Sequence, residues 1–189
     1  MLNDHRHHGE SGSGKSTFAS KLAKKINAYY IDLDSAFHDT IEQDIDFVVD
    51  LFGKNIIGPD GKPDRKKIGD LVFSNRNLYK EYSDRIYADT LSRVEQGIVY
   101  YKDQPCILDH ILLPHMKELW SRCNLKILVD ADWEIRRLRI LSRDNISTEY
   151  LMKREAASPN YQPSDFDMVI KNDKSVHEES DWIHCEVRF

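Results

Sequence analysis

Three cysteines, Cys106, Cys123 and Cys185, are all that the 189 residues contain, and no two form a C-x-x-C pair. A disulfide framework or a cysteine-built metal site is thereby excluded, and reduced thiols in a cytoplasmic protein are expected. Also missing is any apolar run near the roughly eighteen residues that a membrane span needs. The start does not read as a secretion signal, so neither membrane nor export is expected. Basic excess is absent too: 27 Lys and Arg stand against 32 Asp and Glu, a net charge of −5. A nucleic-acid partner is therefore not expected. No internal repeat, low-complexity tract or linker divides the chain, which implies one domain over residues 1–189. With 40% hydrophobic and 31% charged residues, that domain is globular rather than disordered.

What is present begins at Gly9-Glu10-Ser11-Gly12-Ser13-Gly14-Lys15-Ser16, a full match to the phosphate-binding loop G-x-x-x-x-G-K-[ST]. Glycines at these positions let consecutive backbone amides curl around a polyphosphate. Gly12, Ser13, Gly14, Lys15, Ser16 and Thr17 are the candidate nucleotide contacts. Lys15 reaches for the β- and γ-phosphates, and the Ser16 hydroxyl is a candidate Mg²⁺ ligand. After the loop, Phe18, Leu22 and Ile26 recur four apart with Ala19 and Ala23 beside them, predicting the apolar face of a helix. Its N-terminus would face the bound anion. The preceding flank is unusual. Such a loop normally follows a buried strand of about five apolar residues, whereas here Met1 to His8 is polar and holds His5, His7 and His8. A remodelled start or an expression tag is the expected reading. A histidine metal site ranks below it, because no carboxylate or cysteine accompanies the histidines at ligand spacing.

Further along, extended and helical segments alternate, which predicts an α/β fold with a parallel sheet. Strands are expected at 29–33, 105–109, 125–130 and 166–171. Ligands of such sheets lie beyond the carboxyl ends of the strands, so Asp32, Asp34, Asp109, His110 and Asp130 are expected to share one cleft. Helices are predicted at 46–52 and 65–73, separated by the turn Gly58-Pro59-Asp60-Gly61. A longer helix is marked by Leu78, Tyr82, Ile86, Leu91 and Val94. Residues 42–102 thus form a helical interval longer than a crossover requires, of the kind that holds a second substrate.

A run of arginines follows the third strand. Trp133 to Arg143 predicts a helix with Ile135, Leu138 and Leu141 or Ile140 turned inward, and Arg139 and Arg143 on one face. A turn over 144–147 leads to a second helix carrying Arg154, capped by Ser147 or Thr148. Guanidinium groups stay charged and grip phosphate oxygens through a bidentate fork. Two such helices over 133–158 predict a lid above a triphosphate, although a solvated, salt-bridged face would have the same composition.

Taken together these segments resemble the dephospho-coenzyme A kinases. The likeness runs from Gly9 to about Ser175. It rests on Gly12 to Thr17, on Ile31-Asp32-Leu33-Asp34-Ser35-Ala36-Phe37-His38, on Asp64-Arg65-Lys66-Lys67-Ile68-Gly69-Asp70-Leu71-Val72-Phe73, on Ile107 to Leu113, on a gapless lid over 129–157, and on Val169-Ile170-Lys171-Asn172-Asp173. The resemblance implies a three-layer P-loop kinase fold with helices on both faces of a mostly parallel sheet. It implies transfer of the γ-phosphoryl of ATP to the ribose 3′-hydroxyl of dephospho-coenzyme A, with Mg²⁺ on Ser16. Lys15, Asp34 and Arg139 would be catalytic. Asp34, or Asp32 beside it, would take or orient the hydroxyl proton, unless these aspartates cap a helix instead. Arg139 and Arg143 would spread transition-state charge. Arg143 and Asn172 would also contact the nucleotide, and Asp32, Asp34, Arg65, Asp109 and Arg154 the acceptor. A monomer or weak homo-oligomer is expected.

The sequence departs from that pattern in three places. Arg85-Ile86-Tyr87-Ala88 stands where the family has a His-Pro pair, Ser158 stands where a glutamine closes the lid, and the loop after Asp34 is shorter. A related small-molecule kinase and a non-catalytic nucleotide-binding protein are therefore the alternatives. At the C-terminus, a short helix over 175–182 and an edge strand over 182–189 are predicted.

Overall fold

The computed structural model describes residues 11–156 and 158–173, without the side chains of Arg65, Gly69, Val72, Phe73, Ser74, Arg76 and Tyr79. The polar start, Gly9, and the helix and strand predicted beyond Ser175 lie outside the described residues. Within them the chain is mixed α/β and mostly helical. Its elements are α1 (Lys15–Ile26), β1 (Tyr29–Asp32), α2 (Leu33–Gln43), α3 (Ile45–Phe52), α4 (Arg65–Ser74), α5 (Arg76–Tyr100), β2 (Cys106–Asp109), α6 (Lys117–Arg122), β3 (Ile127–Asp130), α7 (Trp133–Asp144), α8 (Thr148–Ala156) and β4 (Met168–Lys171). The described strands form two pairs, β1 with β2 and β3 with β4. The second pair is parallel, with Ile127 opposite Met168 and Asp130 opposite Lys171.

By internal contacts the chain forms two compact units. One comprises the residues up to Lys25 with those from Asp109 onward; the other is Ile26–Leu108. The second takes in β1, α2 and β2 as far as Leu108, besides the helical interval expected at 42–102.

All four strands are shorter than predicted, and local bonding accounts for the ends of β1, β3 and β4. β1 stops at Asp32 because that carboxylate caps α2, accepting from the amides of Asp34 at 3.0 Å and Ser35 at 3.4 Å. Leu33, expected in the strand, therefore opens the helix and is 1% exposed. The β3–β4 pair is entered through a polar clasp: Asp167 Oδ2 accepts from the Lys126 amide at 2.8 Å, and the Lys126 carbonyl accepts from the Asp167 amide at 2.9 Å. Asn75 caps the 25-residue α5 in the same manner as Asp32 caps α2. Neither α2 nor α6 was predicted, because their apolar residues are few and the aspartates of α2 read as site residues.

In the second unit the core is Ile41, Val48, Ile56, Ile68 and Ile86, with Phe37, Phe47, Phe52 and Tyr82 packed against it. One buried polar link crosses it: the Thr90 hydroxyl donates to Thr40 Oγ1 at 3.0 Å, and Thr40 donates to the Ala36 carbonyl. Arg85, one of the departing residues, lies on the surface against Asp89 at 2.8 Å and Asp44 at 3.4 Å, while the adjacent Ile86 is 3% exposed.

Two helix faces differ from expectation. In α1 the buried positions are Ala19 and Ala23, and Ile26 is 45% exposed. Small side chains permit the closest approach of a helix to its neighbours, so they define its inner face. In α7 Leu138, expected inside, is 59% exposed; Arg136 and Ile140, four apart, are each 1% exposed. An arginine occupies the buried stripe because its partners are already inside.

Candidate functional site

The loop Ser11–Gly14 leads directly into α1, and its geometry is set from the carbonyl side. Ser11 O accepts from Arg136 Nη1 at 3.3 Å. Gly12 O accepts from Arg139 Nη1 at 3.2 Å, and Ser13 O from Asn172 Nδ2 at 2.7 Å. Gly14 O accepts from the Phe18 amide at 2.9 Å, the first bond of the helix. In a planar trans peptide the N–H points opposite to the preceding C=O. With each of these carbonyls taken up by a protein donor, the amides of Gly12, Ser13, Gly14 and Lys15 each point away from that donor. Successive amides at the start of a helix, with glycines in the left-handed region, are the groups that cradle an anion.

Glycine is required twice in this turn. Gly12 and Gly14 have φ of +81° and +88°, in the left-handed region. A Cβ on Gly12 would also stand 2.8 Å from the Arg136 carbonyl oxygen and 2.9 Å from Ile140 Cγ1. Ser13 between them is wholly buried. Lys15 begins α1, and its Nζ lies 3.5 Å from Oδ1 of Asp109, which is buried at the end of β2. Ser16 and Thr17 follow in the exposed first turn.

Asn172, Arg136 and Arg139 of α7, and Arg154 of α8 all touch this loop. Besides the loop carbonyls, Arg139 donates through Nη2 to both Asn172 O and Asn172 Oδ1 at 3.1 Å. Burial pulls the pKa of Arg139 down from its ordinary value, with the charge of Asp173 acting in the opposite direction. Arg143 extends into solvent, but its Nε and Nη2 grip Asp144 at 2.5 and 3.0 Å. Arg154 joins the same carboxylate through Nη1 at 2.9 Å and donates from Nη2 to the Ser11 hydroxyl at 2.9 Å. The hydrogen bond from Arg143, joined by that from Arg154, lowers the Asp144 pKa to about 2. Ser147, rather than Thr148, caps α8, its Oγ accepting from the Tyr150 amide at 3.1 Å.

The other predicted residues are distributed as follows. Asp130 is 2% exposed and pairs with Lys171. Nδ1 of His110 accepts from the Leu112 amide at 3.1 Å. Asp32 and Asp34 belong to the second unit. There Asp32 engages both carboxylate oxygens in capping, the second accepting from the Ser35 hydroxyl at 2.9 Å. Asp34 sits exposed in the first turn of α2. Arg65 opens α4, and its side chain is outside the description. The loop, Lys15, Asp109, Arg139, Arg143, Arg154 and Asn172 are therefore brought together within one unit.

Sequence reasoning missed Arg136 and Glu155. Arg136 Nη2 meets Glu155 Oε1 at 2.6 Å and Nη1 meets Oε2 at 3.3 Å, with the two residues 1% and 7% exposed. Their only sign in the sequence is register: Arg136 falls four residues before Ile140, on the stripe where an apolar side chain belongs.

A family model described as dephospho-CoA kinase matches residues 8–178. The dephospho-CoA kinase of Oceanobacillus iheyensis is 29% identical over 90% of this chain and 88% of its own length. That of Leptospira interrogans is 28% identical over 77% and 72%. Among solved structures, one titled TT1252 from Thermus thermophilus superposes with a TM-score of 0.73 at 25% identity, covering 88% of this chain and 86% of the other. The dephospho-CoA kinase from Campylobacter jejuni, at 23% identity, shares the fold with a TM-score of 0.54, over 86% of this chain and 84% of its own. A glycine-rich phosphate loop held by Arg136, Arg139, Arg154 and Asn172 agrees with a family match over nine-tenths of the residues: the chain belongs to the dephospho-CoA kinase family.

Proposed function

We propose that this protein transfers the γ-phosphoryl group of ATP to the ribose 3′-hydroxyl of dephospho-coenzyme A. The observation that carries the reading is the glycine-rich loop at the start of α1 whose carbonyls are held by Arg136, Arg139 and Asn172, in a chain of this family. Those amides hold the phosphate oxygens, and Lys15 follows the transferring group and neutralises its charge. Because Lys15 lies against the buried Asp109, its ammonium is held at the mouth of the loop rather than left to search. Arg143 and Arg154 bring two permanent charges beside the loop, and Arg139 adds a third from its carbonyl side.

Asp34 is assigned as the group that accepts the ribose proton. A carboxylate oxygen exposed in the first turn of a helix can accept that hydrogen bond. Asp32 supports it from the cap, and Arg65, like Asp109 and Arg154, is assigned to the acceptor. Gly12, Ser13, Gly14, Ser16, Thr17 and Asn172 are assigned to the nucleotide.

Magnesium fits the donor set. Ser16 presents an exposed hydroxyl oxygen immediately after the loop, and Mg²⁺ characteristically takes one or two protein oxygens with phosphates and water. Bound there, it supplies charge neutralisation for the phosphates. No described helix is long and apolar enough to cross a membrane. A cytoplasmic place of action belongs to the proposal and is supported by the scarcity of cysteine and the lack of any C-x-x-C pair in the sequence. A monomer or weak homo-oligomer belongs to it as well.

The test is ADP release with dephospho-coenzyme A beside a panel of nucleosides, sugars and hydroxy acids, the panel covering a related small-molecule kinase. Turnover is expected with dephospho-coenzyme A above every other acceptor; a better acceptor in the panel overturns the substrate. Asp34→Asn is expected to lower kcat by about 10²–10⁴ while ATP binding is retained, the usual range for loss of a positioned base. Undiminished turnover in that variant would remove Asp34 from the chemistry.

A further inference from the structure

We infer that the buried pair Arg136–Glu155 is a positioning device for the phosphate loop, tying the seat of α8 to the orientation of the Ser11–Gly12 peptide. The inference rests on the reading that this loop holds the nucleotide's phosphates.

A guanidinium that is 1% exposed is tolerated only when its donors are satisfied. Those of Arg136 are distributed over three elements. Nε donates to the Ala131 carbonyl at 3.2 Å, just after β3. Nη1 and Nη2 form the fork with Glu155 on α8, and Nη1 also donates to Ser11 O on the loop. The flat face lies 5.1 Å from the Trp133 ring centre. Stability alone does not demand this arrangement, since two apolar side chains of similar volume commonly replace a buried ion pair without loss. What apolar residues cannot do is donate a hydrogen bond to Ser11 O.

That carbonyl matters because it belongs to the same peptide as the Gly12 amide, the first of the four in the cradle. Ser11 is held at its hydroxyl and at its carbonyl by contacts that lead to α8. Arg154 reaches its hydroxyl directly. Glu155, the next residue along, reaches its carbonyl through Arg136. Gly12 leaves no room on the other side, because a Cβ there would stand 2.8 Å from the Arg136 carbonyl oxygen. If α8 shifts, the Ser11–Gly12 peptide must turn with it. Arg136 and Glu155 thereby act on the anion without touching it.

The discriminating experiment measures ATP and AMP affinity separately. In Arg136→Met/Glu155→Met the core is filled and no charge is left buried. The expected result is a cooperatively folded protein with ATP binding weakened roughly 10- to 100-fold, the worth of one hydrogen bond to a charged group. AMP, which lacks the β- and γ-phosphates, is expected to bind as before. Unchanged ATP affinity overturns the inference. So does equal weakening of both nucleotides, which would mark a general structural defect. If the double variant does not fold, Arg136→Lys retains the charge opposite Glu155 but not the fork, and must weaken ATP over AMP; wild-type affinities there also overturn the inference. A wild-type protein that binds no ATP would instead refute the proposed function.

Discussion

The two compact units solve the problem of rigidity by opposite means. In Ile26–Leu108 the interior is aliphatic, and its charged pairs, such as Arg85 with Asp89 and Lys62 with Glu42, lie at the surface. In the unit that holds the phosphate loop, charged and polar groups are themselves buried: Arg136 with Glu155, Asp109 near Lys15, Asn172 on Ser13. Apolar packing is non-directional and resists change in volume, so it suits a scaffold. Hydrogen bonds to charged groups are directional, so they suit a backbone whose peptides must be held in place. The contrast teaches where each kind of mutation should be felt.

Within the loop's own unit, removing the loop ammonium should have the largest effect on activity. If Lys15 holds phosphate as proposed, Lys15→Ala is expected to lower kcat/KM for ATP by about 10²–10³, with nucleotide binding and turnover impaired together, because the charge would meet phosphate in both states. An unchanged kcat/KM would break the comparison at its catalytic end.

The aliphatic unit should answer in stability instead. Ile86→Ala, in the middle of its core, is expected to cost about 2–5 kcal/mol, read from denaturant unfolding. Substrate affinities of the protein that remains folded should change little. A loss of ATP affinity at full stability would mean that the core of this unit tunes the nucleotide site, contrary to the division drawn here.

The smallest effect is expected at the exposed cluster beside the loop. Asp144 has its carboxyl pKa drawn down from 3.8 to about 2 by Arg143 and Arg154. A depressed acid contributes stability that is fully present above its unfolded value and is lost as pH falls through the folded one. Asp144→Asn should therefore lower stability by under about 1 kcal/mol near neutrality. The gap to wild type should close between pH 4 and about 2. A gap that persists at the acid end would show that the carboxylate's charge is not what binds the two arginines.

How much of this was legible beforehand differs by residue. The loop, α1, the long α5 and the helix pair α7–α8 are local features, and local spacing announces them. The strand ends were overrun because capping by Asp32 and the clasp at Lys126 and Asp167 are side-chain events that a hydropathy pattern does not carry. Asp32 could be read either as a cap or as a site residue; the observed capping bonds put it on α2. Arg136 was indistinguishable from its neighbours in a run of arginines, since nothing in the run says which one faces inward.

From the order of its residues alone, this chain determined that it carries a glycine-rich anion cradle, a helix behind it and arginines in reserve, because glycine's backbone freedom and helical periodicity act between neighbours in sequence. The direction of the cradle's amides was decided only by tertiary structure. Their peptides are turned by Arg136, Arg139 and Asn172, 125, 127 and 159 residues away along the chain. Such contacts exist only once the elements have packed, and no local preference encodes them.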